Sequence, residues 1–295
     1  MNIHLDISCP FNLDATLCCG QAFRWEKHDG WWYGVVRETP FKIRQISNNL
    51  EFENADVEFV KNYFGLHDDL AKILSQITKD KHIRKAVEAF KGLRILRQDP
   101  WECLISYICA TYKNIPAIRQ MLERLSAKFG EKISFDDYDS YAFPTMEKLA
   151  KATVGDLAKC GLGYRAKYVH ETARTLCGSG FDFEQLKNAE YEKTREELLG
   201  FSGVGLKVAD CVLLFSLGKL EAFPVDVWMK RVILRHYANH FPSEFTEKAS
   251  SRRSLTSSEY KKLSLFGRSY FGEYAGYAQE YLYHYERTQA HSFCK

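Results

Sequence analysis

The chain has 295 residues, enough for one large domain or two ordinary ones. Its 45% hydrophobic and 27% charged residues are those of a soluble globular protein, which excludes a disordered or fibrous chain. The net charge of +3 permits a nucleic-acid partner without demanding one, and no apolar run is long enough to span a bilayer, so no membrane partner is expected.

The first quarter reads as strands. Gln21 to Lys27 and Trp31 to Arg37 flank Asp29-Gly30, a strong hairpin signal. Phe41 to Ile46 and Leu50 to Glu53 flank Ser47-Asn48-Asn49, which predicts a second hairpin and an antiparallel meander. Helical patterns follow near 56–64, 68–77 and 80–91. From Asp99 the chain reads as nearly all helix. Asp99-Pro100-Trp101-Glu102 combines a capping Asp, a Pro at the first helical position and a Glu three residues after the cap. Further helices are expected from about 116 to 129, near 145–151, 153–159 and 164–177, from 191 to 199, from 207 to 217, and near 227–238, 257–270 and 273–286. The polar, Ser-rich stretch 243–262 reads as a surface loop. The fold class expected is α+β: an antiparallel β domain with flanking helices over 1–92, then a helical domain over 93–290 with a hairpin at about 198–217.

Nine cysteines, Cys9, Cys18, Cys19, Cys103, Cys109, Cys160, Cys177, Cys211 and Cys294, are scattered, odd in number and free of C-x-x-C pairs. That argues against a disulfide framework or a zinc site and for reduced thiols in the cytoplasm. Residues 1–20 contain Asp6 and Asp14 and no sustained apolar core, so they do not read as a signal peptide.

The stretch from Leu199 to Val232 carries the chemistry. Gly203-Val204-Gly205 lies between two helices, where glycines leave backbone amides uncovered and a helix N-terminus favours an anion such as phosphate. Lys207 follows in the first turn, a possible nucleophile. Pro224-Val225-Asp226 ends the next turn, with Asp226 opening a helix as a cap or a catalytic carboxylate. Each feature alone has a plain structural reading: a helix corner, a solvated lysine, an N-cap.

Together these residues resemble the helix-hairpin-helix motif and catalytic aspartate of the base-excision DNA glycosylases. The resemblance extends to the 8-oxoguanine DNA glycosylases of the eukaryotic type. Cys19-Gly20-Gln21-Ala22-Phe23-Arg24-Trp25 resembles their N-terminal signature, and Asp99 to Ile105 and Gly161 to Tyr168 their central domain. Tyr274-Ala275-Gly276-Tyr277-Ala278-Gln279 is similar to their C-terminal helix. The resemblance implies a bifunctional enzyme that flips 8-oxoguanine out of duplex DNA. Lys207 attacks the sugar, and a Schiff base leads to β-elimination. Asp226 stabilises the developing positive charge. Cys211 and Tyr283 sandwich the base, Gln279 reads its Watson–Crick edge, the Gly20 carbonyl accepts the proton that the lesion carries on N7, and Phe23 belongs to the same base pocket. Tyr112, Asn114, Tyr164, Arg165, Gly203, Val204, Gly205 and Trp228 are the DNA-binding positions it implies. The partner is double-stranded DNA containing 8-oxoguanine, bound by a monomer. No cofactor is implied. Cys294 stands alone where some superfamily members hold a four-cysteine iron–sulfur loop, so no cluster is expected, and a structural cation at the hairpin is left open. The short termini look prokaryotic, which implies a nucleoid-associated enzyme in the cytoplasm.

Three positions depart from that pattern. Ala117 falls where the family has a cytosine-reading arginine, Tyr112 where it has an asparagine, and Trp228 where it has a histidine near a phosphate. A bidentate arginine contact gives ~1–3 kcal/mol of discrimination. Weaker selectivity for cytosine opposite the lesion is therefore expected. Two alternatives stay open: a related glycosylase for another damaged base, and a non-enzymatic helix-hairpin-helix DNA-binding module.

Overall fold

The computed structural model describes residues 1–6, 10–136 and 138–292; Cys9 and Cys294 lie outside them. The chain starts with strand β1 (Asn2–His4) and helix α1 (Leu13–Cys18), followed by strands β2 (Trp25–His28), β3 (Trp31–Val36), β4 (Thr39–Ile46) and β5 (Asn49–Glu53). These five strands form one antiparallel sheet in the order β1-β5-β4-β3-β2. The expected hairpins are there. Asp29 and Gly30 both take positive φ, the two-residue turn that matches the twist of the paired strands. Register sets Trp32 against Ile43 and Ile43 against Phe52, so one face of the sheet is apolar. That face packs with Val60 and Tyr63 from α2 (Val57–Tyr63), and with Phe64 and Leu96, into its own core.

The start of this region differs from what the sequence suggests. β1 pairs with β5 across 45 residues of chain, and α1 has Asn12 as its cap; neither was expected. Gln21 to Phe23 are not strand. Instead the buried Gln21 side chain ties the loop after α1 to the link at 94–98. Its Nε2 donates to the Thr16 and Arg94 carbonyls (2.9 and 2.8 Å), and its Oε1 accepts from the Leu96 amide (2.8 Å).

Helices α3 (Leu70–Ile77), α4 (Lys81–Ala89), α5 (Pro100–Ala110) and α6 (Ile115–Phe129) follow near the expected positions. A second, unexpected hairpin joins β6 (Lys132–Phe135) to β7 (Tyr138–Tyr141). Then come α7 (Met146–Lys151), α8 (Val154–Leu157), a π-helical turn at Ala158–Leu162, α9 (Arg165–Ser179), the unexpected short α10 (Phe183–Asn188), α11 (Tyr191–Leu199), α12 (Leu206–Phe215) and α13 (Val227–His236). The stretch read as a loop, 243–262, is mostly helical: α14 (Ser243–Ser250), then α15 (Ser257–Phe271), which opens on a capping box of Thr256 and Glu259. The last helix is α16 (Ala275–Ser292). α12 is central, buried from Val208 to Phe215 in the large helical core, as its apolar sequence implied. No helix among the described residues is long and apolar enough to cross a membrane.

Candidate active site

The turn from α11 into α12 depends on Gly203. Its φ is +79°, a left-handed angle that suits glycine, and an added Cβ would lie 2.7 Å from Cβ of Tyr168. Gly205 differs from the expectation: its φ of −97° is open to any residue, and no atom lies within 4 Å of a Cβ built there. It opens α12 without a side-chain cap, so the first amides of the helix are left uncovered. Val204 is corrected as well. Its side chain is buried and its amide donates to the Phe201 carbonyl (3.1 Å), so it serves the turn itself; the amides open to an anion belong to the start of α12.

Lys207 is the second residue of α12. Its Nζ sits 4.6 Å from the centre of the Tyr107 ring, whose face attracts a cation and holds the head group in place. Tyr107 is in turn stacked on Phe215 and met edge-on by Phe23, both at 5.6 Å. Phe23, expected in the base pocket, therefore stands one layer behind it.

Asp226 caps α13. Its Oδ1 accepts from the amides of Trp228 and Met229 (2.9 and 2.8 Å), so the capping role is met and the carboxylate is held in a fixed position at the cavity. Burial raises its pKa, while the Met229 amide and the Lys207 charge act the other way. The distance between α12 and the Asp226 turn is set by a group that the sequence reading missed. The buried Tyr260 hydroxyl donates to Asp210 on α12 (2.5 Å) and accepts from the Val225 amide (3.4 Å). Asp210 is fully buried and also bound by the Tyr191 hydroxyl (2.7 Å) and Arg195 (3.0 Å).

α16 reaches α12 because Gly276 has no side chain: a Cβ there would lie 2.2 Å from Leu214 Cδ1. That approach brings Gln279 and Tyr283 to the same place as Lys207 and Cys211. Gly20, with φ +104° and its neighbour Gln21 wired as described, lies against α16: a Cβ there would be 3.6 Å from the Tyr283 ring. Arg287 from α16 donates to the Cys18 carbonyl (2.5 Å) and lies 5.2 Å from the Tyr283 ring centre, fastening the two walls together.

Gly20, Lys207, Cys211, Asp226, Gln279 and Tyr283 thus line one cavity of about 50 Å³. Tyr107, Phe215, Pro224 and Glu280 complete the lining; Pro224 belongs to the turn read from sequence before Asp226, and the other three were not singled out. Of those three, Glu280 left a trace in the sequence, as an acid within the largely apolar run Tyr277 to Leu282. Burial pushes its carboxyl up to about 7 and the Cys211 thiol up to about 12, so Cys211 stays a protonated thiol, a packing surface and not a nucleophile. Gln279 is buried with its Oε1 unpartnered among the described residues, an acceptor aimed at nothing in the protein.

The remaining predicted positions lie outside the cavity lining, and three of them, Tyr112, Asn114 and Tyr164, are exposed. Tyr112 is 87% exposed and has φ +56°, a left-handed angle rare for a side chain of that size. Asn114 is exposed and caps α6, accepting from the Ala117 amide (3.0 Å). Tyr164 is 56% exposed at the start of α9, which has no side-chain cap. Arg165 requires amendment as a direct DNA contact. It is 3% exposed, lies 4.4 Å beneath the Tyr164 ring and donates to the Thr111 carbonyl, so it joins the Tyr112 loop to Tyr164 from within. Trp228 is half-buried at the start of α13 with Arg231 over its ring (5.1 Å). Among the described residues no three or more His, Cys, Asp or Glu side chains converge as a metal site would require.

Comparison with known proteins fits this arrangement. Residues 4–104 match the 8-oxoguanine DNA glycosylase N-terminal domain, and residues 105–253 the HhH-GPD superfamily of base excision DNA repair proteins. An N-glycosylase/DNA lyase of Saccharomyces cerevisiae is 35% identical over 92% of this chain and 82% of its own length. The chain belongs to the 8-oxoguanine DNA glycosylase/lyase family. Among solved structures of this family, the Clostridium acetobutylicum 8-oxoguanine glycosylase/lyase in complex with double-stranded DNA containing cytosine opposite 8-oxoG aligns with a TM-score of 0.85 and 34% identity, over 95% of this chain and 93% of that one. A structure described as MBOgg1 in complex with a low-affinity DNA ligand aligns with a TM-score of 0.87 and 31% identity, over 98% and 96%.

Proposed function

We propose that this DNA glycosylase/lyase excises 8-oxoguanine through Lys207. With the base flipped into the cavity, the Lys207 amine attacks the anomeric carbon, the glycosidic bond breaks toward the base, and an imine links enzyme and sugar. The imine makes the neighbouring C–H acidic, and β-elimination then cleaves the strand. Asp226 faces the sugar as positive charge builds there, its carboxylate fixed by two amides so that no reorganisation is needed. Tyr283 and Cys211 flank the base, and the unpartnered Gln279 Oε1 accepts from its Watson–Crick edge. The Gly20 carbonyl accepts a hydrogen bond from the N7–H that 8-oxoguanine carries and guanine lacks. One such bond gives ~1–3 kcal/mol, too little to reject normal guanine alone, so the extrusion step must contribute further selection. The observation that carries this reading is the convergence of Lys207, Asp226, Gly20 and Gln279 on one cavity beside an uncapped helix start.

The exposed Tyr112 and Tyr164 rings are suited to wedge the duplex where the base leaves. Ala117, half-buried on α6, offers no side chain to read an opposite cytosine, which supports relaxed opposite-base selectivity. Any cation at the hairpin would have to use second lone pairs, since the Phe201 and Ser202 carbonyls already accept from Val204 and Thr172.

Borohydride trapping on duplexes bearing different lesions tests the mechanism. A covalent adduct is expected on 8-oxoguanine and absent in Lys207→Gln. An adduct that survives Lys207→Gln overturns the nucleophile, and one found only on an alkylated base overturns the substrate. Excision opposite all four bases tests the selectivity; a strong cytosine preference ends that part.

A further inference from the structure

Glu280 is the one cavity-lining residue with chemistry that the reading above leaves unused. It lies on α16 between Gln279 and Tyr281, is 2% exposed, and its Oε1 is buried with no hydrogen-bond partner among the described residues. A buried polar atom without a partner is costly, so such an oxygen needs either its own proton or a donor from a guest. The groups that face it are identifiable. From the Gly20 side, Cys19 lies within hydrogen-bond reach; Lys207 on α12 and Arg287 on α16 favour the carboxylate; Asp226 disfavours it. Tyr107 on α5 and Tyr283 on α16 are close enough to sense its charge. Asp226 is already committed, with Oδ1 held by two amides. Lys207 meanwhile rests on the face of Tyr107, a setting that suits an ammonium, whereas attack on the sugar needs a free electron pair on Nζ.

We propose that Glu280 accepts the Lys207 proton at the start of the reaction. The N–H bond of the ammonium breaks, an O–H bond forms on the Glu280 carboxylate, and the electron pair stays on Nζ for attack at the anomeric carbon. One positive and one negative group become two neutral ones, which a water-poor cavity favours. The proton is then available to the departing base, whose nitrogen gains the electron pair of the broken glycosidic bond. Burial sets this carboxyl near 7, so both of its states are populated near neutral pH. The assignment rests on the reading of Lys207 as nucleophile.

The test uses the whole enzyme and an 8-oxoguanine duplex under single-turnover conditions, from about pH 5.5 to about pH 9, with borohydride trapping in parallel. The wild-type rate should rise with pH through a limb near 7. Glu280→Gln should be about 100-fold slower at neutral pH and lose that limb. Its affinity for a duplex carrying an uncleavable tetrahydrofuran site should stay within about twofold of wild type, because the residue lies at the chemistry and not at the phosphates. Glu280→Asp, which keeps a titratable group, should recover part of the rate with the limb moved to another pH. A Glu280→Gln rate within about threefold of wild type, with the limb intact, overturns the proposal. If Glu280→Gln does not fold, an unmoved limb in Glu280→Asp overturns it equally. A wild-type enzyme that traps on 8-oxoguanine while these variants behave as wild type removes Glu280 alone; no wild-type adduct removes the Lys207 reading, and Glu280 with it.

Discussion

Two helices begin at the edge of the same cavity, and they begin in opposite ways. α12 starts on Gly205, with no side chain over its first amides, while α13 starts on Asp226, whose carboxylate closes two of them. Most helices among the described residues follow the second pattern, with caps such as Asp56, Asp69, Asp80, Asp99 and Asn114. The positive end of a helix is thus used twice within one site. At α12 it is left uncovered by any side chain, which under the proposed function leaves it free for an anion that arrives with the substrate. At α13 it holds an anion of the protein's own, aimed and fixed. A glycine at the start costs a helix only about a few tenths of a kcal/mol relative to a capping side chain, so these amides are left open with little loss of stability.

Substitutions can break that contrast. Lys207→Gln should abolish the trapped adduct and slow excision by about 10⁴-fold or more, with the fold intact by circular dichroism. Asp226→Asn separates the two duties of α13. Asparagine caps as well as aspartate, so the melting temperature should hold while single-turnover excision falls about 10²–10³-fold. An equal fall in stability would mean that the carboxylate is only a cap. Gly205→Asp makes α12 resemble α13. Nothing obstructs a side chain there, so the helix should gain about a few tenths of a kcal/mol while the new charge repels phosphate and weakens duplex affinity about tenfold. Tighter binding in a titration would show that the α12 amides do not meet DNA.

Glu280 sharpens the comparison from the other side, as an acid in mid-helix with no helix start to offset its burial. Its folded pKa is raised from the ordinary 4.5 to about 7, so the stability associated with its protonated form is full below about 4.5 and is lost as pH rises through about 7. Wild type should therefore fall behind Glu280→Gln by several degrees in melting temperature at about pH 8 and match it near pH 5. A constant gap across that range would mean that the carboxyl does not change state.

What could be read from sequence was local. The α12 turn, Lys207 and Asp226 fall within one stretch whose glycines, proline and caps act on near neighbours. The Asp29-Gly30 hairpin was legible for the same reason. The stretch at 243–262 was misread because its serines suggested a loop, although Thr256-Ser-Ser-Glu259 spells out a capping box. The role of Gln21 depends on Arg94 and Leu96, that of Tyr260 on Asp210 and Val225, and that of Glu280 on walls supplied by α12 and the Gly20 loop. Residues of that kind carry no periodicity or motif of their own, and only packing reveals them. Arg165 shows the converse: its sequence position suggested a surface contact, and the fold turned the side chain inward beneath Tyr164.

Tyr112 carries one more consequence. A left-handed angle on a bulky residue costs roughly 1–2 kcal/mol, and a ring that is almost wholly in water recovers none of it by packing. Glycine at 112 would remove the strain and should raise the melting point of the free protein while impairing extrusion of the base. A chain selected for endurance alone would have made that exchange. Under the proposed role of Tyr112 as a wedge, the strain is kept for an encounter whose worth shows only when DNA is present.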